Sequence, residues 1–148
     1  MKLAVGCDHT AVEMKQTIIA HLQARGIAVE EVITQTQQPY PVVGYIAAKQ
    51  VADGAVDGAV LICGTGAGIS LAANKVRGIR AVVCSDPYTA KMAKAHNHAN
   101  VLAFGARVVG EETAKMIVDA WLDTPCEGDR HADRVALITQ IEETGTVK

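Results

Sequence analysis

The sequence predicts an α/β domain in which a five-stranded parallel sheet is sandwiched between two layers of helices. Apolar runs recur along the 148 residues with helical stretches between them, the alternation that builds parallel sheets through right-handed crossovers. The runs are continuous rather than alternating, as expected of strands covered on both faces. Aromatic residues make up only 3% of the chain, so Ala, Val, Ile and Leu must form the core, which suits helices packed closely on a sheet.

The first strand is expected over residues 2–6, followed by a helix over 11–25 that Gly26 stops. A second strand, 27–33, leads into Thr-Gln-Thr-Gln-Gln-Pro-Tyr-Pro at 34–41, which reads as an exposed loop before a helix over 42–53. The third strand is placed at 58–62, the next helix at 69–76, and the fourth strand at 79–84. Pro87 suits the first turn of a helix over 87–96, and the fifth strand follows at 100–104. Glu111 and Glu112 open a helix over 111–122, where acids complement the dipole, and Ala114, Ile117, Val118 and Trp121 share its buried face. After a loop at 124–129 a last helix runs over 131–143, and one domain is expected to span residues 1–148.

Composition narrows the functional classes. Apolar residues are 49% and charged residues 20%, which points to a globular protein rather than a disordered one. A formal net charge of −2 gives no footprint for nucleic acid or an acidic membrane surface. No apolar stretch approaches the roughly 20 residues that span a bilayer. Cys7-Asp8-His9 interrupts the N-terminus before a signal-peptide core develops, so a cytoplasmic address is expected. The cysteines at 7, 63, 84 and 126 form no Cys-x-x-Cys pair and are expected to stay reduced.

Chemistry concentrates at Cys63-Gly64-Thr65-Gly66-Ala67-Gly68-Ile69-Ser70, directly after the apolar run Ala59–Ile62. Three glycines in five positions let backbone N–H groups face a ligand, and a following helix adds its positive end, so the loop can hold an anion. A thiol at such a mouth can serve as base or nucleophile, which makes Cys63 the leading catalytic candidate. The glycines do not match a dinucleotide fingerprint: the third spacing is wrong, and the loop follows the third strand rather than the first. A purely structural turn is the alternative.

In open α/β sheets ligands bind at the carboxyl ends of strands, near the switch in strand order. Asp8 and His9, Cys63 to Ser70, Ser85 with Asp86, and Arg107 all follow strands, so they are candidates for one edge. Asp8, or Thr10, could equally cap the helix beginning near Ala11. His96-Asn97-His98-Ala99-Asn100 has no Cys or acidic partner at metal-ligand spacing nearby, and its ordinary reading is a surface helix end. Arg130 and Arg134 lie four residues apart, on one face of a helix start, where guanidinium groups can grip a phosphate or simply form a solvated face.

Gly6-Cys7-Asp8-His9, the Ile62–Ser70 loop, Ala72-Ala73-Asn74-Lys75, Gly78-Ile79-Arg80-Ala81, His96-Asn97, Phe104–Gly110 and Gly128-Asp129-Arg130-His131 together resemble the type B ribose-5-phosphate isomerases over nearly the whole chain. The related family includes galactose-6-phosphate isomerase subunits and isomerases of allose and tetrulose phosphates. The resemblance implies a Rossmann-like homodimer or tetramer with shared active sites, interconverting an aldose phosphate and its ketose through an enediolate. No metal or organic cofactor is implied. By the resemblance, Cys63 moves a proton between carbons 1 and 2, and Thr65 assists at the oxygens. Backbone amides of Gly64, Gly66, Ala67, Gly68, Ile69 and Ser70 hold the enediolate. His96, with Asp8 and Asn97, opens the furanose ring, while His9, Arg107, Arg130 and Arg134 bind the phosphate.

Some family members use a Glu at the position of Ser70 as base; here it is Ser, and Cys63 keeps the role. Where the family commonly has Asp-Tyr-Pro, this chain has Pro39-Tyr40-Pro41 followed by Val42-Val43-Gly44. If Tyr40 lines the sugar pocket, this segment bears on the choice of sugar. D-ribose 5-phosphate to D-ribulose 5-phosphate is the expected reaction. An allose, galactose or tetrulose phosphate, and a non-catalytic sugar-phosphate binding module, are the alternatives, and a cysteine-nucleophile hydrolase lacks a persuasive base and orienter.

Overall fold

The computed structural model describes residues 1–34 and 38–148, so positions 35–37 of the expected loop lie outside the described residues. The elements run β1 (Lys2–Cys7), α1 (Val12–Ala24), β2 (Ala28–Glu31), α2 (Tyr40–Ala52), β3 (Gly58–Cys63), α3 (Ala67–Ala73), β4 (Ala81–Val83), α4 (Pro87–Asn97), β5 (Val101–Gly105), α5 (Glu111–Leu122) and α6 (Asp129–Thr144). All strand pairs are parallel, in the order β2-β1-β3-β5-β4. The expected sandwich is present.

The alternation of side chains across the pleat divides the interior in two. Val60 and Ile62 of β3 face α1, α4 and α5 with Leu3, Val5, Leu102, Phe104 and Trp121, whereas Ala59, Leu61 and Cys63 face α2 and α3 with Val43, Ala47 and Ile69. Phe104 and Trp121, the chain's single Phe and single Trp, both sit in the first core. The second is built from small and branched residues, which lets α2 and α3 lie close to the sheet: a Cβ on Gly44 would meet the Ile69 carbonyl at 2.9 Å.

Several boundaries move for local reasons. Gly26 ends α1 as expected, at φ +78°, with Gly26 N–H donating to Gln23 O and Ile27 N–H to Leu22 O. Asp8 and Thr10 do not cap α1, whose N-cap is Ala11 with no side-chain bond. Helix α2 starts at Tyr40, two residues earlier than expected, because extended Pro39 (ψ 155°) precedes it and Pro41 fits its first turn. Tyr40 and Pro41 are therefore helical rather than loop. Helix α3 is a seven-residue helix displaced toward the loop, and Asp86 caps α4 by accepting the Thr89 N–H at 2.7 Å.

The chain leaves β1 toward β2 on one side and returns to β3 on the other. The carboxyl ends of β1 and β3 therefore flank the switch in strand order, where α/β folds open a crevice.

Candidate active site

Cys63 closes β3 opposite Gly105 of β5, with only 4% of its surface exposed. Its Sγ accepts the Gly66 N–H at 3.2 Å, so the sulfur faces the glycine loop. The loop lies tight on the sheet. Gly66 sits at φ +82°, and a Cβ there would come within 2.7 Å of the Phe104 carbonyl carbon; one on Gly105 would lie 2.6 Å from Thr65 Cα. The main chain of β5 is thus the floor under the loop. Thr65 Oγ1 accepts the Ala67 N–H at 3.2 Å. Ser70 is directed inward, with its N–H on Gly66 O (3.2 Å) and its hydroxyl on Ala67 O (2.8 Å). Gly68 and Ile69, in the first turn of α3, lack i−4 partners inside the helix by position.

Side chains close round this loop. Asp8 extends the β1–β3 ladder by donating its N–H to Ile62 O at 3.3 Å, and its Oδ1 accepts both the Thr10 N–H (2.9 Å) and the Thr10 hydroxyl (2.6 Å). Arg107 donates its N–H to Gly64 O (3.1 Å), and its side chain passes over Gly64 together with Thr10 Oγ1. The Tyr40 ring lies on Gly68, where a Cβ would meet Cε2 at 2.7 Å. Asp8, His9, Gln38, Pro39 and Tyr40 line a cleft of about 280 Å³. It shares Asp8, His9 and Gln38 with a neighbouring cleft of about 370 Å³ floored by Cys7, Lys15 and Glu31. Burial raises the Cys7 thiol above its usual range, whereas the hydrogen bond from Lys15 holds the Glu31 carboxyl below the usual carboxylate range.

The remaining predicted residues stand at the other edge of the sheet. His96 and Asn97 end α4 just before β5, whose start is marked by Ala59 N–H donating to Asn100 O, about 13 Å of strand from Cys63 at roughly 3.3 Å per residue. The loop before α6 crosses the end of α4: Glu127 donates its N–H to Ala95 O at 2.8 Å, and His98 Nε2 lies 2.6 Å from Glu127 O. This brings His131 flat against His96, with ring centroids 4.0 Å apart and planes 1° from parallel. Glu127 Oε2 lies 3.3 Å from His131 Nε2 and 3.7 Å from His96 Nε2. Arg130 Nε donates to His131 Nε2 at 3.4 Å, and Arg134 is exposed one turn on. Among the described residues, the non-glycine positions with positive φ are His98 (49°) and Asp129 (48°), which bracket this cluster.

Asp8, His9, Tyr40, the Cys63–Ser70 loop and Arg107 are thus brought together. His96, Asn97, Arg130 and Arg134 form a separate group that no path within one chain carries to the thiol. Thr10, Glu127 and His131 were not foreseen as site residues; Glu127 and His131, one helical turn apart in sequence, were the available signal.

The Ribose/Galactose Isomerase family matches residues 3–138. The chain belongs to this family. It is 56% identical over 144 residues to ribose-5-phosphate isomerase B of Escherichia coli K12, covering 96% of this chain and 97% of that one. It is 42% identical over 145 residues to D-erythrulose-4-phosphate isomerase of Pectobacterium atrosepticum, covering 96% and 95%. The solved ribose-5-phosphate isomerase B of Clostridium thermocellum superposes with a TM-score of 0.94 at 45% identity, covering 99% of this chain and 100% of that one.

In this isomerase family member the donor set at the amino edge differs from the sequence expectation, because the fold supplies His96 with an acid and a second imidazole within 4.8 Å. Parallel rings send their in-plane lone pairs side by side, whereas a zinc ion needs them to converge at about 2 Å. The Arg130 guanidinium also donates to His131 Nε2, the ring nitrogen that faces Glu127. The arrangement suits proton handling and anion binding better than metal ligation. No helix among the described residues is long and apolar enough to cross a membrane.

Proposed function

We propose that this aldose–ketose isomerase interconverts D-ribose 5-phosphate and D-ribulose 5-phosphate through an enediolate, with Cys63 as the base. The observation that carries the reading is the Cys63 sulfur turned onto the Gly66 amide at the switch in strand order, in a chain 56% identical to a ribose-5-phosphate isomerase B. Abstracting a proton beside a carbonyl creates an oxyanion, and each preorganised N–H aimed at it stabilises the transition state by about 3 kcal/mol. Of the loop amides from Gly64 to Ser70, those of Gly68 and Ile69 have no intrahelical acceptor and lead as donors in this mechanism, whereas those of Gly66, Ala67 and Ser70 donate to Cys63 Sγ, Thr65 Oγ1 and Gly66 O. Cys63 takes the proton from carbon 2 of the opened aldose and returns it to carbon 1, with Thr65 beside it at the oxygens.

Ring opening falls to His96 with Asn97 and Asp8, and the phosphate to His9, Arg107, Arg130 and Arg134. These groups sit on opposite edges of one sheet, so the reading requires a homodimer or tetramer in which one copy supplies the thiol and another the imidazole. Exposed Leu71 and Tyr45 near the loop, and Leu137, Ile138 and Ile141 on α6, are apolar surface for such contacts. The thiol base fits a reducing cytoplasm, and the interconversion of ribose and ribulose phosphates fits a role in the pentose phosphate pathway. The P. atrosepticum relative and the Pro39-Tyr40-Pro41 segment favour a second reading, a tetrulose 4-phosphate substrate, which a panel of four-, five- and six-carbon sugar phosphates separates from the first.

Mixing inactive Cys63→Ala and His96→Asn proteins after unfolding tests the shared site. Random pairing places both intact residues in one site of each hybrid and restores about a quarter of wild-type activity. No recovery, with hybrids formed, rules out sharing.

A further inference from the structure

The amino-edge cluster holds one buried imidazole to which the mechanism above gives no task. His131 is 7% exposed, lies flat on His96 and receives the Arg130 Nε on its own Nε2 at 3.4 Å, with the Glu127 carboxylate 3.3 Å from the same atom. A histidine in the last turn of a helix can turn about its Cβ–Cγ bond through a broad range, and that freedom costs catalysis when a proton must be delivered to one oxygen. A parallel ring 4.0 Å away removes it. We propose that His131 is the positioning residue for ring opening: its ring, lying parallel to His96 with centroids 4.0 Å apart, fixes the plane of that imidazole.

The inference rests on the isomerase reading, in which His96 opens the furanose. Burial first, then the facing His96, holds the His131 imidazole below the ordinary histidine range. A neutral ring is the better stacking partner, because it adds no like charge when His96 takes a proton. The positive φ at His98 and Asp129 belongs to the same device, since these turns deliver Glu127 and His131 to the end of α4.

The two sugars separate ring opening from proton transfer. Ribose 5-phosphate closes through O4, but ribulose 5-phosphate cannot form the corresponding five-membered ring because its O5 carries the phosphate. Solvent deuterium entering carbon 1 of ribulose 5-phosphate therefore reads proton transfer at Cys63 alone, whereas turnover of ribose 5-phosphate reads ring opening as well. His131→Ala is expected to slow ribose 5-phosphate turnover roughly ten- to a hundredfold while leaving exchange within about threefold of wild type. His131→Phe, which keeps a flat ring of slightly larger size, restores most of that turnover. Turnover unchanged in His131→Ala, a parallel fall of turnover and exchange, or no recovery in His131→Phe overturns the assignment. A Cys63→Ala protein that still exchanges deuterium defeats the isomerase reading instead.

Discussion

The two edges of the sheet are built from different materials. The carboxyl edge is mainly backbone: a thiol, a run of amides, and glycines whose missing side chains let β5 and Tyr40 press against the loop. The amino edge is side chain, two imidazoles, a carboxylate and a guanidinium held by turns at His98 and Asp129. A backbone site is intolerant of added atoms and indifferent to charge; a side-chain site is the reverse.

Loss of the thiol breaks the first edge most completely. Cys63→Ala is expected to lower kcat about a thousandfold, as removal of a positioned proton-transfer group does, with circular dichroism unchanged. Steady-state assay against wild type checks it. Gly66→Ala follows: a left-handed φ and a Cβ 2.7 Å from the β5 backbone should destabilise the fold by about 3 kcal/mol and lower Tm by about 10 °C. Gly26→Ala, also at positive φ but with open space around it, should cost only about 1 kcal/mol. Equal shifts of the two Tm values would deny the loop its backbone floor.

At the other edge the expected effects are smaller. Arg134→Ala should raise KM for the sugar phosphate about tenfold with kcat within about threefold, the mark of lost ground-state binding. The smallest effect is on stability. Unfolded His131 takes up a proton near pH 6.5, while the folded imidazole, buried and facing His96, resists it. Stability therefore declines as pH falls through about 6.5 and levels off once the folded group also protonates. His131→Phe should flatten that slope in Tm measured between pH 7.5 and 5.

The same contrast sets how much was legible beforehand. The strands and the Cys63 loop are read from contiguous residues, and β3 needs nothing beyond its own run to be recognised as fully buried. The start of α2 was missed because Pro39-Tyr40-Pro41 carries turn composition while Pro41 is also a good first-turn residue. The cap reading of Asp8 failed because its carboxylate closes the tight turn at Thr10 two residues before α1 begins. The His96–Glu127–His131 cluster stayed hidden because a loop and helix α6, far along the chain, complete it. No local pattern announces a stack between rings from two helices.

Trp121 has a practical consequence. The chain's one indole donates Nε1–H to Ala99 O at 2.9 Å from within the core, and the Lys94 ammonium stands 4.2 Å above its ring. Ultraviolet emission excited at the red edge of absorption comes from a single chromophore, fastened to the turn that follows His96 and shaded by a cation on the same helix. Titration of that spectrum monitors the amino edge selectively and is blind to the distant thiol, so the molecule carries its own optical label for half of its chemistry.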